Sequence, residues 1–394
     1  MHRRARSGDR SRPSSPRSTR RLLAIALAVV VAAGGCARFD ESVDSPFRPA
    51  PSVQPLEILP PPPEAPESDT PDEPTPPPTA DSSCPDPDPA VIAGCLDIAT
   101  SIAMLPGSES ALVAERRTGR IVQVYRDGRE PESVITIPVD GSADGGLLDL
   151  ALSPTYAEDG LIYAYISTSS DNRVVRIARG DTPKPVLVGL PRGSRNNAGA
   201  IAFVGRNELL VLTGDAGSPA AAADPSSQAG KLLLLSDLSI SEQSKPTRVV
   251  MPGIGRAGGL CPGIDGTMWV TDTTGGIDRL HRVGSDGVVG VPVWTWPDAP
   301  GVAGCAAGES DVVVALDAGR ALAILSIDPQ TGVVGTAPGL IAQNQYGRFS
   351  GIAAASPSEV WVTTVNRDEP NPTPAPTDDR VAIIVPAPAG SGRD

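Results

Sequence analysis

Histidine is the usual proton carrier at neutral pH, and this sequence has two, His2 and His281. His281 stands in IDRLHRV with Leu280 and Val283 and reads as an ordinary strand residue. There is no GxSxG, no histidine near a nucleophile and no metal-binding motif, so the chain gives no support to a hydrolase. The densest polar grouping is TGDAG followed by Asp224 and a Gly-Lys pair ending at Lys231. Asp215 and Asp224 could give calcium its carboxylates, with backbone carbonyls completing the shell. Asp-Ala-Gly and Asp-Pro-Ser are equally good turn formers, so both readings stay open. Trp294 and Trp296 in VPVWTWP either line a site or cap a core.

The N-terminus bears on where such chemistry would take place. Eight arginines and one acid precede an apolar run from Leu22 to Gly35. Fourteen helical residues span about 21 Å, short of the roughly 30 Å membrane core, so residues 1–35 read as a signal peptide. Ala33-Gly34-Gly35-Cys36 resembles the lipobox of exported lipoproteins, here of actinobacterial type, with Ala33 where the pattern prefers Leu. The expectation is cleavage before Cys36, its acylation with palmitate-type chains, and anchoring at the extracytoplasmic face of the cell membrane. Residues 36–90 are acidic and proline-rich and should form a disordered tether, able to reach on the order of 150 Å. Thr70, Thr75 and Thr79 beside its prolines are candidate glycan sites on composition alone.

The whole chain carries a formal charge of −13. Loss of the arginine-rich signal would take it to about −20, which argues against nucleic acid as a partner. Beyond Cys36 the cysteines are even in number, which in an exported chain favours disulfides. Cys84 and Cys95 flank a short loop and should form a local staple. Cys261 and Cys305 precede Met268 and Val312 by the same interval, and so occupy equivalent places in two repeats. A bridge is expected there, with two buried free thiols as the alternative.

From residue 91 to 394 short apolar runs alternate with Gly, Asp, Asn and Pro turns, and no long helix period occurs. Six units recur, beginning near Ser101, Leu148, Ala200, Gly259, Gly304 and Gly351, most with a third apolar run such as GRIVQVY or GKLLLLS. A repeat of roughly 50 residues with four strands implies an all-β, six-bladed β-propeller behind the tether.

The second and third units carry a more specific signal. GGLLDLALSPTYAEDGLIYAYIS and NNAGAIAFVGRNELLVLTGDAGSPAAAADPSSQAGKLLLL resemble the soluble quinoprotein glucose dehydrogenases, or glucose/sorbosone dehydrogenases. ALVAERRTGRIVQVYRDGR resembles the first blade of the same family. The resemblance implies a six-bladed propeller that binds pyrroloquinoline quinone (PQQ) and calcium in its axial mouth and oxidises an aldose at its anomeric carbon. It also implies a histidine base before the paired glycines of blade three; Asn196 stands there, with Ala198 at the first glycine. An amide cannot take a proton near neutral pH. At the family's Arg-Asn pair stand Gly255 and Arg256, and Gly258 replaces its glutamine. Arg348 keeps one of two arginines in blade six, with Ser350 at the other, while Lys231 keeps a candidate cofactor contact.

Two functions follow. One is a propeller displayed outside the cell that binds a small sugar-like ligand or an envelope protein on its axial face without redox chemistry. The other is a working PQQ-dependent sugar dehydrogenase with a displaced base, Asp215 or Asp149.

Overall fold

The computed structural model describes residues 84–263, 265–328, 331–368 and 374–386. Cys36, the signal and the tether as far as residue 83 lie outside them. No helix among the described residues is long and apolar enough to cross a membrane.

Six four-stranded antiparallel sheets form the six blades that the repeat implies. Their innermost strands are Ala99–Met104, Leu147–Leu152, Gly199–Gly205, Arg256–Pro262, Val302–Ala307 and Phe349–Ser356. Each packs against the inner strands of the neighbouring blades around one axis, and small residues permit the approach. A Cβ on Gly304 would stand 2.6 Å from the Ser350 carbonyl, and one on Gly259 would stand 2.8 Å from the Gly304 Cα. Such contacts leave room for no larger side chain.

The second strand of each blade is the most buried because it has sheet on both edges and a blade on both faces. Ile162–Ser167, sequence IYAYIS, is buried at every position. Its alternate side chains feed two different cores. Ile162, Ala164 and Ile166 pack against blade one, while Tyr163 and Tyr165 pack against blade three. The same rule gives one apolar cluster per blade interface. These are built mainly of Val, Leu, Ile and Ala, as the 3% aromatic content requires.

Ring closure is not visible in the repeat. The outer strand of blade six is Val91–Ala93, which precedes blade one in sequence and pairs with Val381–Ile384. Residues 84–90, counted with the tether by composition, are fixed beside it. Cys84 bridges Cys95 with Cα atoms 6.0 Å apart. Asp86 pairs with Arg380 at 3.1 Å, and Asp88 accepts from the Tyr346 hydroxyl at 2.9 Å.

Candidate functional site

The inner strands enclose an axial cavity of about 570 Å³. Its deep wall is mostly Gly, Ala and aliphatic residues, and its charge collects where the inner strands begin. Asp144, Asp149, Asp317, Asp368, Arg116 and Arg256 line it. Arg116, Asp317 and Asp368 follow the second strands of blades one, five and six, and Asp144 precedes the inner strand of blade two. The loops of one face thus supply the mouth.

Most of these groups are engaged. The buried Arg116 donates to the carbonyls of Ala143 (2.9 Å) and Gly145 (3.0 Å) and pairs with Asp368 at 2.6 Å. Asp144 accepts from the side-chain amide and backbone N–H of Asn197, at 2.6 and 3.1 Å. Asp149 ties three blades together, accepting from Ser101 Oγ at 2.6 Å and from the Ile201 N–H at 2.7 Å. Burial pushes its carboxyl up to about 6, against hydrogen bonds that favour the charged form.

The residues singled out in the sequence separate into three groups. Asn196 and Asp215 come together, the Asn196 amide donating to Asp215 Oδ1 at 2.9 Å. Asn196 adopts a left-handed φ of 55°, which asparagine tolerates. Gly214 packs on it so closely that a Cβ would stand 2.1 Å from the Asn196 carbonyl oxygen. Asp215 also donates its backbone N–H to the Gly255 carbonyl at 2.7 Å, which places this pair beside Arg256.

Arg256 lines the mouth and Arg348 reaches it only through Asp317, and the two differ in state. The Arg348 fork is closed on Asp317, Nε at 2.5 Å and Nη2 at 3.0 Å. Although burial opposes its charge, Asp317 holds the guanidinium above its ordinary value. Arg256 has only long contacts, 3.4 Å to Thr273 Oγ1 and 3.3 Å to the Val302 carbonyl.

Lys231 and Asp224 lie apart from the cavity wall, a correction for the cofactor contact expected of Lys231. Its ammonium is buried in a cage of the Ala221, Ala222 and Ala229 carbonyls at 3.1, 2.7 and 2.8 Å. Burial pulls its pKa down. Asp224 makes a turn with Ser226 at the end of the short helix Pro219–Ala223. Asp215 likewise accepts from the Gly217 N–H at 2.8 Å, so both carboxylates serve turns. No group of three or more His, Cys, Asp or Glu side chains among the described residues is placed to hold a metal.

Cys261 and Cys305 form the expected bridge between inner strands of blades four and five, with Cα atoms 5.6 Å apart. His281 is buried in blade four and meets Asp272 at 2.9 Å. Trp294 and Trp296 form the outer strand of that blade, where Trp296 joins the core shared with blade five. They cap a core and do not line the mouth.

Sequence reasoning missed Arg116, Asp144, Asp317 and Asp368. A signal for three of them existed, since Arg116, Asp317 and Asp368 all follow the second apolar run of a unit.

Fold and mouth together define a six-bladed propeller with a charged axial site. The family model described as Glucose / Sorbosone dehydrogenase matches residues 96–248, from just before the inner strand of blade one to the start of the outer strand of blade three. The PQQ-bound form of an aldose sugar dehydrogenase from Streptomyces coelicolor is 27% identical, with a TM-score of 0.66, covering 74% of this chain and 95% of that one. An oxidoreductase described as a glucose dehydrogenase from Thermus thermophilus is also 27% identical, with a TM-score of 0.65 and coverage of 75% and 98%. The apo-form of the soluble aldose sugar dehydrogenase of Escherichia coli, at 18% identity and TM-score 0.63, shares the fold. No curated protein matches the chain.

Proposed function

We propose that this chain is an exported lipoprotein, anchored through Cys36, whose propeller binds a ligand or partner on its axial face and does not oxidise aldoses with PQQ. One observation carries the second half of this reading. The side chain that meets Asp215 at the expected base position is the Asn196 amide, which cannot accept a proton. The donor set points the same way. PQQ is a tricarboxylate, and of the basic side chains expected to hold it Arg348 is closed on Asp317 and Lys231 is caged by carbonyls. Of the four aspartates that line the cavity, Asp317 and Asp368 are paired with Arg348 and Arg116. That leaves Asp144 and Asp149 against Arg256, and three further negative charges exceed what that one guanidinium offsets.

The test is the full-length protein in detergent with calcium, PQQ and common aldoses. No dye reduction is expected, because general base catalysis is worth roughly 100- to 10,000-fold and the clamp is weak as well. Turnover at about 1 per second or faster would sink this reading. Asn196→His alone should not restore turnover, since base and clamp fail at different steps.

A second reading, an active dehydrogenase with a displaced base, draws on Asp149. It lines the cavity, and its carboxyl, at about 6, lies in the range of a general base. If turnover is found, Asp149→Asn should abolish it; an unaffected variant removes Asp149 as that base.

The anchor is tested separately. Cys36→Ala should abolish acyl labelling and membrane retention, and unchanged labelling would refute the lipid site.

A further inference from the structure

The charge pattern of the cavity selects its ligand more narrowly than axial binding alone does. Of the six ionisable side chains that line it, five already have charged or strong hydrogen-bonding partners. Arg116 and Asp368 hold each other, Asp317 holds Arg348, Asp144 holds Asn197, and Asp149 is braced by Ser101 and Ile201. Arg256 is the exception. It stands half-buried at the mouth end of its inner strand, and it makes no ion pair among the described residues. Only its Nη2 is engaged, through two contacts longer than 3.2 Å to neutral oxygens. A guanidinium carries five N–H donors in a planar fork matched to a carboxylate. Most of that fork therefore meets no protein acceptor.

We propose that the axial mouth binds a small monocarboxylate rich in hydroxyl groups, with its carboxylate seated on Arg256. One open fork matches one carboxylate. A second anionic group on the ligand would meet Asp144 and Asp149 with no cation left to offset it, since Arg116 and Arg348 are taken up by Asp368 and Asp317. The remaining wall chemistry sets the rest of the ligand. Carboxylates and backbone carbonyls only accept, so the ligand must bring donors, and hydroxyls do this without a desolvated charge. Asp368 gives Arg116 one oxygen and is 31% exposed, which leaves an acceptor facing the mouth. A cavity of about 570 Å³ is the size of an ordinary small-molecule site. This inference rests on the axial-binding reading above.

The probes are glucuronate, glucose and citrate, titrated calorimetrically into the full-length protein in detergent. Glucuronate and glucose share a ring and differ by the carboxylate. Glucuronate should bind at least about tenfold more tightly than glucose, the smaller end of what a charge-assisted hydrogen bond contributes. Citrate should bind more weakly than glucuronate, and glucuronate affinity should fall as salt rises. Arg256→Met should reduce glucuronate affinity to that of glucose, and Arg256→Lys should keep part of it. Melting temperatures of both variants establish that they are folded. Equal affinity for glucose and glucuronate, or binding unchanged in Arg256→Met, overturns the monocarboxylate inference and leaves axial binding in place. So does the absence of glucuronate binding at about 10 mM, above the range of a weak site. The non-redox reading falls only on the turnover assay, so the two failures are distinguishable.

Discussion

Lys231 and Arg256 show how far a basic residue's surroundings decide its role. The Lys231 ammonium has three backbone carbonyls as partners, two of them from the last turn of the helix Pro219–Ala223 and one from the return to the next strand. It acts as an internal cation that closes the blade-three loop, the loop that carries Asp215 to Asn196. Lys231→Met keeps the length and apolar stem but removes the ammonium from the Ala222 and Ala229 carbonyls and leaves the Ala221 carbonyl only the Asp224 N–H. We expect a loss of about 2–4 kcal/mol, seen as a melting temperature lower by about 4–10 °C. A fall of less than about 1 °C would show that the cage is dispensable. The sequence displayed Gly-Lys after an acidic loop but not which way the side chain turns, so a buried cage and a cofactor contact looked alike. The inner strand that follows Asn196 was legible because its apolar run AIAF marks it. The Arg116–Asp368 pair was not, since it joins blades one and six, which only ring closure brings together.

The elements divide in the same way. Inner and second strands repeat as apolar runs because blades cover both their faces, and the six units were countable for that reason. Outer strands have one free edge and much solvent. Glu132–Thr136 is exposed at four of its five positions, and Gly339–Ile341 at two of three. They leave little apolar signal, and the strand that closes blade six lies on the other side of the whole repeat in sequence. That closure has two fasteners, the short Cys84–Cys95 loop and the Asp86–Arg380 pair. The Cys261–Cys305 bridge is of a different kind, because it links two blades across a sequence separation of 44. A cross-link of that span removes chain entropy worth about 4 kcal/mol from the unfolded state, against about 3 kcal/mol for the 11-residue separation of Cys84–Cys95. Replacing Cys261 and Cys305 together by Ala should therefore cost at least as much denaturation midpoint as replacing Cys84 and Cys95. A clearly smaller cost for the inter-blade pair would show that packing of blades four and five holds that seam without the bridge.

For the whole molecule, acidity and burial combine to set a pH dependence of stability. Burial pushes the Asp379 carboxyl up to about 7 and that of Asp149 up to about 6, in each case against backbone hydrogen bonds. Asp379 sits where the ring closes, accepting from the N–H groups of Ile98, Asn366 and Arg367 with Asp378 beside it. Between about pH 4 and 7 the folded chain keeps protons on these groups that the unfolded chain has released. Stability is then greatest below that window and is lost as pH rises through 6 and 7. Other carboxylates act in the opposite sense at lower pH. The hydrogen bond from Arg126 holds Glu359 below its ordinary value, and the Thr267 hydroxyl does so for Asp265. Their contribution is lost as pH falls through their own lowered values, which places the maximum at about pH 4, where the two windows meet. Calorimetric scans should show a melting temperature higher at pH 5.5 than at pH 8, by about 3 °C or more for a linkage term of a few kcal/mol. General repulsion in a chain of formal charge −13 predicts the same direction, so the sign alone does not identify the groups. Asp379→Asn separates the two. It fixes one site as neutral and should flatten the slope between about pH 5 and 7, at the cost of one accepted hydrogen bond, whereas diffuse repulsion would leave the slope almost unchanged. A melting temperature that rises from pH 5.5 to 8 would contradict both accounts.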